Sequence, residues 1–271
     1  MLSLAVGELV RRIDDGVPAA IADEPEAVHR LRTSVRRLRN VLAAFRRYLD
    51  RDATAGLRAE LKVWGDALGR ARDLEVRAAQ LAEAADAVGL DEEDRSALVD
   101  ELHAAHERAH AQAVRWTRSR RGRELRKALA AWADAPPLAD RAGRPAKKAA
   151  RRAVRRQADR TLEAAGRLDG PEAAHALRKA ARRLRHTCDA VRSAGLLGGR
   201  TKALGRAGHR IQSLLGDHRD ALLLAEHVRS QADGSPAADA VVGWCQERSL
   251  AALADLPAAL ADLHARREAL H

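Results

Sequence analysis

The sequence predicts an all-α fold, on three observations. Ala, Leu, Arg and Glu dominate its 271 residues, aromatic side chains make up only 2% of them, and no run of alternating β-branched residues occurs. A chain of this length buries a substantial core. It contains no Ser/Gly-rich linker, so it reads as one compact body or two fused halves, 1–135 and 145–271, rather than as separate modules.

Apolar residues at helical spacing, punctuated by turn residues, predict eight helices. The first, 2–14, ends before Gly16, and the second, 26–50, follows Pro25. The third, 54–88, stops at Gly89, and the fourth, 91–133, runs from an Asp to the edge of a proline pair. Pro136, Pro137, Gly143 and Pro145 then cluster in ADAPPLADRAGRP, a stretch that cannot continue a helix and divides the chain nearly in half. Beyond it come 145–168, 171–195 opened by Pro171, 200–231 after a Gly pair, and 236–268 opened by Pro236.

The halves carry an internal repeat. EAVHRLRTSVRRLR (26–39) aligns without a gap on EAAHALRKAARRLR (172–185), with nine of fourteen positions identical. LGRARD (68–73) aligns on LGDHRD (215–220), starting 39 residues after His29 and 40 after His175. Two motifs in the same order at nearly equal separation point to duplication rather than shared composition.

On a helix, His29, Arg32, Arg36 and Arg39 share one face, with Arg46 continuing it. Val28, Leu31, Val35, Leu38, Leu42, Phe45 and Leu49 form a neighbouring stripe that should enter the core. The second copy repeats the pair, with His175, Arg178, Arg182 and Arg185 beside Leu177, Ala181, Leu184 and Cys188. Neither cationic stripe contains an acid, so its like charges repel by a few tenths of a kcal/mol per pair, about 0.2–0.5, unless an anion compensates them. From Arg32 to Arg39 the stripe is about 10 Å long at 1.5 Å per residue, which suits a polymer better than a single phosphate group. With 49 Lys+Arg against 38 Asp+Glu the net charge is +11, which favours nucleic acid, a membrane surface or a phosphate polymer without choosing among them.

At these residues the chain resembles the CHAD domain, an α-helical family named for its histidines. The resemblance rests on VHRLRTSVRRLR (28–39), AHALRKAARRLR (174–185), LGRARDLEV (68–76) and LGDHRDALLL (215–224), and spans essentially the whole chain. It implies two pseudo-symmetric four-helix bundles with a basic central surface that binds inorganic polyphosphate and can place the protein on polyphosphate granules. The implied contacts are His29, Arg32, Arg36 and Arg39 with His175, Arg178, Arg182 and Arg185, and less directly Arg37 and Arg183. One departure is Glu75, where the family pattern suggests Asp. The acidic-basic ExExK signature of the triphosphate-tunnel domain attached to some CHAD proteins is not found in the sequence, so a stand-alone CHAD protein is expected.

A neutral histidine can donate one hydrogen bond to a phosphate oxygen, and protonation adds a charge; bonding to a carbonyl at the core edge is the plain alternative. Arg70, Arg72 and Asp73, with Arg219 and Asp220, either orient phosphate-binding arginines or form inter-helix salt bridges. Accessory basic positions are Arg58 and Lys62 in the first half and Lys148, Arg152, Arg155, Lys202, Arg206, His209 and Arg210 in the second; solvent exposure is the default for each. His103, His106 and His110 share a face, yet no partner ligand is identifiable, so neither metal nor cofactor is expected. No Gly-rich phosphate loop, nucleophile elbow or HExxH occurs, which argues against an enzyme. Cys188 and Cys245 read as buried reduced thiols. Without a membrane span or signal pattern, a cytoplasmic protein is expected. Competing readings are a nucleic-acid-binding protein, weakened because Trp64, Trp116, Trp132 and Trp244 fall in helical core patterns, and a granule scaffold that recruits protein partners.

Overall fold

The computed structural model describes residues 2–143, 146–232 and 234–269. The chain is all-α. Ten helices are described: α1 (Leu2–Ile21), α2 (Ala27–Ala44), α3 (Arg51–Val88), α4 (Glu92–Arg118), α5 (Arg120–Asp134), α6 (Ala146–Ala165), α7 (Gly170–Ser193), α8 (Gly199–Ala232), α9 (Pro236–Ala254) and α10 (Leu256–Glu268). Pro145, expected to open a helix, lies outside the described residues.

Two long helices expected as continuous are each broken. The stretch 91–133 divides at Ser119, whose hydroxyl accepts from the Gly122 amide at 3.1 Å and so caps α5. A Cβ on Gly122 would lie 2.5 Å from the Trp116 carbonyl oxygen, so only glycine fits this close helix break. The stretch 236–268 divides at Asp255, where Pro257 removes a helical donor at the start of α10. α1 continues past the expected end at residue 14 because Val17 and Ala20 extend its buried face. α2 stops at Ala44 rather than at 50, so Arg46 sits in the turn and not on the helical stripe. Leu49 is nonetheless buried, held in an antiparallel bridge to Leu138 of the inter-half stretch.

Neighbour relations recur in the two halves. α1 packs on α2 and α5 while α6 packs on α7 and α10; α2 meets α3 as α7 meets α8; α3 meets α4 as α8 meets α9. One apolar core runs from Val6 and Ile13 of α1 through Leu38, Leu61, Leu184 and Ile211 to Leu263 of α10. The predicted core stripes, Val28 to Leu49 and Leu177 to Cys188, are buried at every named position. A second, separate core joins Leu81, Leu98 and Leu102 of α3 and α4 to Leu224, Val228 and Val241 of α8 and α9. Trp64 and Trp132 are buried, Trp116 stacks on Trp64 at 5.8 Å, and Trp244 lies 4.8 Å beneath the Arg248 guanidinium. Among the described residues no helix is long and apolar enough to cross a membrane.

Candidate functional site

The core stripes fix where the cations go. With Val35 and Leu38 turned inward, the cationic face of α2 must lie between α3 and α7, and α7 crosses α2 with its own cationic face toward the same region. All eight predicted residues, His29, Arg32, Arg36, Arg39, His175, Arg178, Arg182 and Arg185, are half-buried. Burial first, and then the guanidiniums of Arg32, Arg182 and Arg185, push the pKa of Arg36 down to about 10. Arg182 is lowered by burial and by Arg178, Arg183, Arg32 and Arg39, so the two stripes feel each other across the crossing. The Nε atoms of Arg36, Arg39 and Arg178 are buried without a hydrogen-bond partner among the described residues. Leaving such donors unmet costs about 1–3 kcal/mol each, more for a charged group.

Neither stripe itself holds an acid, yet carboxylates reach both. The acids arrive from other helices or one turn beyond, where periodicity along a single stripe does not register them. Asp73 of α3 approaches Arg32 at 3.3 Å, Asp66 favours the charged form of Arg39, and Asp189 stands 3.8 Å from Arg185. Burial is still the largest influence on Arg39 and Arg185, and both are lowered despite these carboxylates.

The second motif supplies the surroundings of the first. Arg72 bridges Glu26 at 2.8 Å and Glu75 at 2.9 Å beside His29, whereas its counterpart Arg219 donates to His175 Nδ1 at 2.8 Å. His29 and His175 are both lowered from the ordinary value, by burial and then by Arg72 and Arg219 respectively. Asp220 is raised by burial against the pull of Arg178, with Asp217 and Asp73 adding to the rise.

The accessory residues separate. Arg37 is half-buried at a cleft of about 270 Å³ with Asn40, His186 and Asp189, while Arg183 is exposed. Arg58 extends the site from Arg39 and has a buried Nε without a partner among the described residues. Lys148 and Arg152 line a cleft of about 380 Å³ with Arg47, Tyr48 and Arg156, and Arg155 faces another with Arg151 and Thr201. His209 contacts Arg185 at 3.2 Å. Lys62 pairs with Asp66 at 2.6 Å and Arg210 with Asp255 at 2.9 Å; both are exposed, as are Arg70, Lys202 and Arg206. The histidine face of α4 has a structural use: His106 bonds the Ala71 carbonyl and Asp23, and His110 bonds the Ala20 carbonyl.

Sequence reasoning missed Asn40 and His186, which occupy matching positions in the aligned helices. His186 is only 7% exposed, neither ring nitrogen has a partner among the described residues, and burial followed by Arg36, Arg185 and Arg182 lowers its pKa to about 3. It also missed Gly69 and Gly216. A Cβ there would lie 3.3 Å from Arg32 Nε and 3.4 Å from Arg178 Nε.

These features define a class: an all-helical protein in which two His/Arg helices cross to form a cationic centre. Residues 4–229 match the CHAD domain, and the chain belongs to the CHAD domain family. It is 31% identical over 242 residues to Uncharacterized protein Rv2226 and Uncharacterized protein MT2285, from two Mycobacterium tuberculosis strains, over 84% of this chain and 45% of each of theirs. The chain thus spans less than half the length of these curated relatives. Among solved structures it is similar to the CHAD domain of the plant Ricinus communis, with a TM-score of 0.71 and 25% identity over 100% of this chain and 93% of that one. PptA from Streptomyces chartreusis shares the fold, at a TM-score of 0.71 and 22% identity over 98% of both chains.

Proposed function

We propose that the protein binds inorganic polyphosphate at the crossing of α2 and α7, acts by binding rather than catalysis, and associates with polyphosphate granules through that contact. The observation that carries this reading is the set of half-buried guanidiniums with unmet Nε donors, drawn from both halves onto one region. Guanidiniums bind phosphate oxygens in pairs, and a linear polyanion with one charge per small repeat can reach recessed cations in succession. Membership of the CHAD family supports the same partner.

The test is binding of long-chain polyphosphate to the protein and to a variant carrying Arg32→Ala, Arg36→Ala, Arg178→Ala and Arg182→Ala, with helicity followed by circular dichroism. Loss of binding with helicity retained is expected, and affinity of the unaltered protein should fall steeply with added salt. Unchanged affinity of the variant overturns the site. Duplex DNA that polyphosphate cannot displace at moderate salt would instead make the protein a nucleic-acid binder. Protein partners retained after enzymatic removal of polyphosphate would mark a scaffold role.

A further inference from the structure

A glycine within a helix costs about 0.5–1 kcal/mol relative to alanine, so one kept there calls for a local reason. Gly69 and Gly216 stand inside α3 and α8 and are not among the glycines with positive φ, so no special backbone conformation explains them. Gly56, elsewhere in α3, has nothing within 4 Å of where its Cβ would lie. Gly69 differs: an added Cβ would meet Arg32 at Nε (3.3 Å), Nη2 (3.5 Å) and Cζ (3.8 Å), the Nε–Nη2 edge of one guanidinium. At Gly216 the neighbours are Arg178 Nε (3.4 Å), Nη2 (3.4 Å) and Cζ (3.8 Å). One turn later in each helix stands an aspartate, Asp73, which ion-pairs with Arg32, and Asp220, which feels Arg178.

We infer that Gly69 and Gly216 are positioning residues, each a bare patch of helix backbone against which the Nε–Nη2 edge of a phosphate-binding arginine from the neighbouring helix packs. The inference rests on the polyphosphate reading for its consequence but not for its geometry. A guanidinium pressed against a helix at one edge and limited by an aspartate one turn on keeps its remaining donors at a fixed depth. Less side-chain entropy is then lost when phosphate arrives. The repeated LG–RD pattern follows from this: the glycine receives the arginine, the aspartate limits its reach, and Arg72 or Arg219 adjoins the histidine.

The experiment is a double-mutant cycle read by polyphosphate affinity. Gly69→Val should weaken binding about ten-fold, the value of one charge-assisted contact, and lower the salt slope by about one. In an Arg32→Ala background the same substitution should cost nothing, because its target is gone. Gly216→Val with Arg178→Ala should behave alike. Full affinity of Gly69→Val, or an equal loss in both backgrounds, overturns the inference. Where a valine variant does not fold, Gly69→Ala replaces it; alanine favours the helix, so its melting temperature should hold or rise while affinity falls by a smaller factor. The arginine Nε–H resonances of the ligand-free protein give a readout independent of binding. Gly69→Ala should shift that of Arg32 selectively, and an unmoved signal overturns the inference. Polyphosphate that fails to bind the unaltered protein, with the shift present, rejects the functional reading and leaves the positioning role standing.

Discussion

The two halves of the chain meet in two places of different composition. At α2 and α7 they bring half-buried arginines together. At α3 and α4 against α8 and α9 they bury Leu81, Leu102, Leu224 and Val241 in a core of their own. Apolar burial stabilises by about 25 cal/mol per Å², whereas crowded guanidiniums repel and have been taken from water. The apolar packing of both contacts can therefore hold the halves in register against the repulsion of the arginines. Both contacts bury apolar side chains, and the first, through the main core, carries the cations as well.

The strongest challenge to this comparison is the double variant Arg36→Ala with Arg182→Ala. Titration calorimetry should show polyphosphate affinity falling by about 3–6 kcal/mol, two charge-assisted contacts at about 1.5–3 each. The melting temperature should not fall, because the repulsion goes with the charge. A clear drop in melting temperature would mean that these arginines are cohesive after all. Leu81→Ala makes the converse case: denaturant unfolding should show a loss of about 2–5 kcal/mol, with polyphosphate affinity of the folded protein preserved.

His186 sharpens the comparison through pH. Above the ordinary value of 6.5 both folded and unfolded states hold it neutral; below 6.5 the unfolded state takes the proton, while the native state resists down to about 3. Stability should therefore fall with acidification, by on the order of 2 kcal/mol between pH 6.5 and 5. His186→Leu should flatten that slope in urea titrations at stepped pH. The smallest effect is expected at Lys62, exposed and already paired with Asp66. Lys62→Ala should change polyphosphate affinity no more than about two-fold.

Much of the fold was legible from residues alone because helical periodicity reports burial directly. Val28 through Leu49 and Leu177 through Cys188 are core as read, and both arginine stripes converge. What periodicity cannot report is the neighbouring helix: Asp73 beside Arg32, and Asp66 near Arg39, became visible only with packing. Ser119 escaped because the apolar spacing continues past it, whereas Pro257 was a signal in plain view. Gly69 and Gly216 lie inside the sequence repeat, yet a glycine shows its purpose only when something lies against it.

The two free cysteines divide along the same line. Cys188 belongs to the main core and Cys245 to the second, and burial lifts their thiols to about 12 and about 11. Neither should react until its own surroundings open, so an alkylating reagent turns each into a separate clock of local opening. The protein thus carries a built-in stopwatch for each contact, able to time whether a bound anion slows both or only the one it touches.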